Sequence, residues 1–240
     1  VYESQAIANQ TRSTTISADR GTIYDRNMNV LASSSTVENV FLDPLELSQD
    51  KVDLNQLAQD LGKMLDIEKS YIIEQASDTK MRYKVIKRKI SEDLADEVRA
   101  YVSENKLRGV YLEADSKRTY PNASLAAQVL GFTNAENVGS EGLESYYDDT
   151  LEGNAGAVVT TKGNNETEML YSYEKYYEAS DGSSLVSTID STVQYYLEKN
   201  MEAAITKYDV QNGAFGIVMD VNSGQILAMA TMGTYDPNNY

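Results

Sequence analysis

The chain has 240 residues, 41% hydrophobic and 24% charged, a globular composition that excludes wholesale disorder. Its 37 acidic and 21 basic residues leave a net charge of -16, which disfavours nucleic acid and anionic lipid headgroups as partners. Without cysteine or histidine it has no disulfide, no thiolate metal site, no cysteine nucleophile and no Ser-His-Asp triad, so any serine chemistry would use lysine as its base.

In chain order, residues 1–19 are polar with little periodicity. Thr22–Tyr24 and Val37–Leu42 read as short strands around the turn-like Asp25-Arg-Asn-Met-Asn29. Leu54, Leu57, Leu61 and Leu65 recur at three- and four-residue steps and predict a helix, with a second over Glu68–Ala76. Tyr83–Ile90 alternates apolar and basic residues and reads as a half-buried strand, its Lys84, Lys87, Arg88 and Lys89 protecting an edge. Ser91 predicts an N-cap for a helix to about Lys106, and Gly109–Glu113 is the next strand. Asn122 is expected to cap a helix over Ser124–Leu130 closed by Gly131, and Ser140 another carrying Leu143, Tyr147 and Leu151. Ala157–Thr161 and Thr167–Tyr173 suit a hairpin around Lys162-Gly-Asn-Asn165. Ser183–Ile189 reads as a strand, Thr192–Tyr208 as a helix, and Ala214–Val221 with Gln225–Thr231 as a hairpin. The order is mixed α+β, with a boundary expected near 182/183 in the small polar segment Ala179-Ser-Asp-Gly-Ser183. No stretch approaches the roughly 18 apolar residues of a membrane span, so membrane attachment would come from an anchor helix outside these residues.

Four segments together resemble the class B penicillin-binding proteins, membrane-anchored transpeptidases that cross-link peptidoglycan. They are Arg20-Gly-Thr-Ile-Tyr-Asp-Arg26 with Val30-Leu-Ala32; Arg118-Thr-Tyr-Pro121 with Leu130-Gly131; and Gly139-Ser-Glu-Gly-Leu-Glu144. The fourth runs from Thr188-Ile-Asp190 through Val193-Gln194, Gly213-Ala214, Asp220, Ser223-Gly224 and Ile226-Leu-Ala-Met229 to Asp236-Pro-Asn238. The resemblance implies a pedestal (dimerisation) domain over residues 1–182 and the opening of a transpeptidase domain over 183–240. It also implies structural motif roles for Gly21, Tyr120, Pro121, Gly142, Asp190, Asp220 and Gly224. The parent would be a serine D,D-transpeptidase on the extracytoplasmic face of the membrane. Its partners would be a SEDS-class glycosyltransferase, other cell-wall assembly proteins and peptidoglycan.

Penicillin-recognising transpeptidases need a Ser-x-x-Lys on a helix, so that the lysine one turn on can take the serine's proton, together with a Lys-Thr-Gly strand. The strings Ser77-Asp-Thr-Lys80 and Ser103-Glu-Asn-Lys106 fit only the four-letter pattern, and no Lys-Thr-Gly occurs. The chain is therefore expected to be inactive by itself and to stop before the nucleophile, with no catalytic residue, metal or cofactor. Arg20, Asp25, Arg26, Arg118, Glu141 and Glu144 are expected to form a structural ion-pair network joining three distant segments. The rival readings are a free-standing cell-wall interaction module and a glycan-cleaving enzyme using Glu141 and Glu144 as paired carboxylates. Tyr171, Tyr173, Tyr176 and Tyr177 are candidates for stacking on sugars, against the plainer reading of a strand face and loop.

Overall fold

The computed structural model describes residues 11–16, 18–161 and 174–239. These form two compact units, one built from residues 36–117 and the other from residues up to 35 together with 118 onward.

The 36–117 unit packs four helices and strand segments around one apolar core. The helices are α1 (Pro44–Gln49), α2 (Leu54–Leu65), α3 (Lys69–Ser77) and α4 (Glu92–Glu104). The strands are the end of β3 (Val30–Leu42), β4 (Lys84–Ile90) and most of β5 (Val110–Thr119). The predicted leucine stripe is the inner face of α2, where Leu57, Ala58, Leu61 and Leu65 are buried against Ile72, Val98 and Val110. Local signals set the helix ends. The Asp53 carboxylate accepts the N–H groups of Asn55 and Gln56, Asp66 closes α2 in the left-handed conformation, and the Ser91 hydroxyl accepts the Leu94 N–H. Sequence reasoning passed over α1, although Asp43 followed by Pro44 is an N-cap followed by a proline at the first helical position. β4 lies at one end of its sheet, antiparallel to β3, with Val40 opposite Lys87 and Leu42 opposite Lys84. Lys84 pairs with Asp78 at 3.3 Å, and Lys89 sits at φ +54° with its N–H on Asn39 Oδ1.

The other unit begins with β1 (Thr11–Ile16) and β2 (Ile23–Tyr24). β2 pairs antiparallel with the start of β3, Ile23 opposite Ala32, and parallel with β8 (Leu185–Val186), Ile23 opposite Leu185. Three short helices follow: α5 (Ala127–Leu130), α6 (Gly142–Tyr146) and α7 (Asp148–Leu151). β1, β6 (Gly156–Thr161) and β7 (Glu174–Tyr177) form a three-stranded antiparallel sheet with β6 in the middle. The 18-residue α8 (Ser191–Tyr208) precedes the hairpin of β9 (Phe215–Met219) and β10 (Ile226–Thr231). A second core joins Ile23, Leu31, Ala32, Tyr120, Ala126, Leu130 and Leu151.

Several expectations need correction. β3 is one strand of 13 residues, and the polar run between Leu31 and Val37 lies within it. The polar start includes β1, whose partner β6 lies far along the chain and leaves no local trace. The strand expected over 183–189 is only Leu185–Val186. The helix expected from Ser124 starts at Ala127, because Ala126 takes a left-handed conformation at its N-cap. The helix expected after Ser140 is split into α6 and α7 at Tyr147, and Glu141 rather than Ser140 holds the N-cap position. Ala157 to Thr160 face Tyr177 to Glu174, while the strand expected over 167–173 and the turn at 162–165 lie outside the described residues.

Asp190 caps α8, accepting the N–H groups of Thr192 and Val193 at 3.0 and 3.2 Å, and also accepts Asn27 Nδ2 at 3.1 Å. Asp190→Ala is expected to destabilise the protein by about 1–2 kcal/mol, a loss checked by urea unfolding.

Candidate functional site

Three segments deliver charged side chains to one buried point. Arg20 arrives ahead of β2, Arg118 from the end of β5, and Glu144 from α6. Glu144 is fully buried, and Arg20 and Arg118 are 4% and 5% exposed. The Arg20 Nε donates to Glu144 Oε2 and the Arg118 Nε to Oε1, each at 2.7 Å. The Tyr120 hydroxyl donates to the same Oε1 at 3.3 Å. Arg20 Nη2 donates to the Glu144 carbonyl at 2.7 Å, and Arg118 Nη1 to the Gly21 carbonyl at 2.8 Å. Asp148, on α7, completes the arrangement: its Oδ1 accepts Arg20 Nη1 at 2.7 Å and the Gly139 N–H at 2.8 Å. Two guanidinium groups thus face two carboxylates, and the formal charge of the cluster sums to zero. Arg118 Nη2 is buried without a hydrogen-bond partner among the described residues. Burial first, and then the Glu144 carboxylate, pushes the Tyr120 hydroxyl well above the usual phenol range, so it stays a donor.

Glycines let the backbones come this close. Gly131 closes α5 at φ +74°, and a methyl there would overlap the Glu141 carbonyl. Gly142 sits at φ +60° against Gly131, and Gly21 packs against the Ser183 main chain. Pro121 follows Tyr120 at the start of an exposed turn. The Asp220 carboxylate accepts the Asn222 N–H and the Ser223 hydroxyl, each at 2.9 Å, and Gly224 closes that turn at φ +73°.

The six expected network residues do not all meet. Arg20, Arg118 and Glu144 do. Arg26 is exposed and makes no ion pair among the described residues, and Glu141 is exposed at the N-cap position of α6. Asp25 is buried but makes no ion pair among the described residues. It accepts the Asn27 and Asn29 N–H groups, each at 2.8 Å, Asn29 Nδ2 at 2.9 Å and the Ser191 hydroxyl at 2.7 Å. Asp148 was missed, though it stands four residues after Glu144, the spacing of one helical turn.

Burial alone would raise the Asp25 carboxyl, but the hydrogen bonds from Asn29 and Ser191 outweigh it and hold the group at about 2. A folded-state value below the unfolded one stabilises the protein above the unfolded value, and that contribution is lost as pH falls through the folded one. Asp25 is therefore expected to contribute ~2 kcal/mol at neutral pH, lost between about pH 4 and pH 2. Unfolding followed down this range should show a shallower decline in Asp25→Asn.

The site offers no reactive group. Glu144 is buried and bonded through both oxygens, so it cannot act as a base or nucleophile facing substrate, and Glu141 does not share its environment. Ser77 is the last residue of α3, its hydroxyl donates to the Ile73 carbonyl at 2.6 Å, and Lys80 lies past the helix end. Ser103 is in α4, but the helix ends at Glu104 and Lys106 has φ +49°. Neither string puts serine and lysine one turn apart on a helix. Tyr171 and Tyr173 lie outside the described residues, while Tyr176 and Tyr177 are exposed on β7.

Residues 15–187 match the Penicillin-binding Protein dimerisation domain family, most of the chain. The chain belongs to that family. The dimerisation-domain chain is 33% identical over 222 residues to Stage V sporulation protein D of Bacillus subtilis, covering 92% of this chain and 33% of that protein. It is 28% identical over 226 residues to the peptidoglycan D,D-transpeptidase FtsI of Escherichia coli, covering 93% and 37%. The crystal structure of Penicillin Binding Protein 2X from Streptococcus thermophilus superposes with a TM-score of 0.70 at 25% identity, covering 95% of this chain and 36% of that one. The complex between a penicillin-binding protein and MreC from Helicobacter pylori has the same fold, at TM-score 0.69 and 24% identity, covering 95% and 44%. The dimerisation-domain chain spans about a third of the length of these curated relatives. Among its described residues no helix is long and apolar enough to cross a membrane.

Proposed function

We propose that this chain is the non-catalytic scaffold of a longer serine D,D-transpeptidase. The observation that carries this is the Glu144 site, a charge-neutral knot of two arginines and two carboxylates that fixes three segments and keeps Glu144 and both guanidinium groups buried. Residues 1–182 act as the pedestal and residues 183–240 open the transpeptidase part. The parent sits on the extracytoplasmic face of the membrane, anchored by a helix outside these residues. The pedestal holds the catalytic part at its working distance from peptidoglycan and presents a surface to a SEDS-class glycosyltransferase and other assembly proteins. The H. pylori complex with MreC is support by analogy from a protein of the same fold.

The partner claim is tested by immobilising the chain and passing over it a detergent-solubilised SEDS-class glycosyltransferase from the same organism. Saturable retention is expected, and its absence under conditions where the chain is folded would contradict a partner-contacting scaffold.

A further inference from the structure

Residues 118–131 have two sets of attachments within one unit. The side chains of Arg118 and Tyr120 enter the Glu144 site. The main chain is held from residues 194–238. Asn238 takes both polar groups of Tyr120: its Oδ1 accepts the Tyr120 N–H at 2.9 Å, and its Nδ2 donates to the Tyr120 carbonyl at 3.0 Å. The Asp236 carboxylate orients Asn238, accepting its N–H at 2.9 Å and its Nδ2 at 2.8 Å. The Thr234 hydroxyl donates to the Ser124 carbonyl at 3.1 Å and the Tyr235 hydroxyl to the Ala127 carbonyl at 3.0 Å. Glu198 accepts the Ala126 N–H at 2.9 Å and Gln194 Nε2 at 2.7 Å. Gln194, fully buried, grips Met229 as Asn238 grips Tyr120, with Nε2 on the carbonyl and Oε1 on the N–H, each at 2.8 Å.

These are side-chain bonds to main-chain groups, so they fix where the backbone runs. An amide bonded to both polar groups of one residue closes a ring and leaves little freedom to slide. Tyr120 is bonded in both directions: its hydroxyl reaches Glu144 and its N–H and carbonyl reach Asn238.

We infer that Tyr120 is a positioning residue that ties the Glu144 site to the loop of residues 234–238, so that the two move as one body. In the terms of the proposed function, on which this rests, the loop belongs to the opening of the transpeptidase part. The buried ion pairs would then set where the chain beyond Asn238 begins.

The test is a set of ¹H–¹⁵N spectra and amide exchange measurements on the whole chain. Asn238→Ala is expected to shift the Arg118 Nε–H resonance and to speed exchange of the Tyr120 amide roughly fivefold or more, the loss of one hydrogen bond. Tyr120→Phe, which removes only the hydroxyl, is expected to speed exchange of the Asn238 amide by a similar factor. The double variant should add little beyond either single change. Ile72→Val, in the core of the other unit, should leave all three reporters unmoved. An Arg118 Nε–H that stays in place in folded Asn238→Ala overturns the inference, and this arm decides if Tyr120→Phe does not fold. Penicillin acylation of the longer protein separates the two claims. Coupling without acylation retains the positioning role and removes the transpeptidase reading, while acylation without coupling does the reverse.

Discussion

Replacing Glu144 by alanine is expected to cost about 3–5 kcal/mol and to lower the melting temperature of its unit by on the order of 10 °C. Among the described residues the carboxylate is the only one that pairs with both buried arginines. Without it Arg118 keeps the Arg20 and Gly21 carbonyls, and Arg20 keeps the Asn137 and Glu144 carbonyls with Asp148 at the half-buried edge of the site. A buried cation left without its counter-charge is far more costly than a lost surface pair, which is worth about 0–1 kcal/mol. Glu144→Gln keeps the shape and removes the charge, so a loss close to that of alanine would assign the effect to charge. Glu141→Ala is the matched control three residues away. Its side chain is exposed, and its change should stay within about 0.5 kcal/mol. Thermal and urea unfolding of the three variants measures the contrast directly.

Gly131→Ala is expected to be as damaging, about 2–6 kcal/mol, by a different route. At φ +74° and ψ −155° the residue occupies a region essentially reserved for glycine, which costs a side chain roughly 1–3 kcal/mol. The added methyl would also overlap the Glu141 carbonyl, and overpacking costs another 1–3 kcal/mol. That carbonyl belongs to the segment leading into α6, so relieving the overlap pushes Glu144 away from its arginines. Loss of near-ultraviolet circular dichroism and a lowered melting temperature are the expected readouts. A variant with wild-type stability would show that the segment has room to move.

Much of this was legible in the sequence wherever the deciding forces are local. The leucine spacing of α2, the cap at Ser91 and the β9–β10 hairpin need only neighbouring residues to be read. β1 is settled by a partner strand far along the chain, so its own polar residues carry no signal. The site was half legible for a related reason. Charge and motif placed Arg20, Arg118 and Glu144 in one group, but could not assign partners. Asp25 and Arg26 are adjacent at a strand end, and successive side chains point to opposite sides, one inward to Asn29 and Ser191 and the other to solvent. Glu141 precedes α6 in extended backbone, so its spacing to Glu144 is not a helical spacing. The grip of Asn238 on the Tyr120 main chain leaves no mark in composition or period, because the group recognised is the peptide itself.

A chain that scaffolds a transpeptidase does no acyl chemistry itself. Intact-mass measurement after incubation with labelled penicillin tests this most directly, on the 240-residue chain and on the longer transpeptidase proposed to carry it. An unmodified chain and a longer protein acylated once are expected. Stoichiometric label on the chain, at Ser77, Ser103 or any other residue, or a folded longer protein that takes no label, would contradict it.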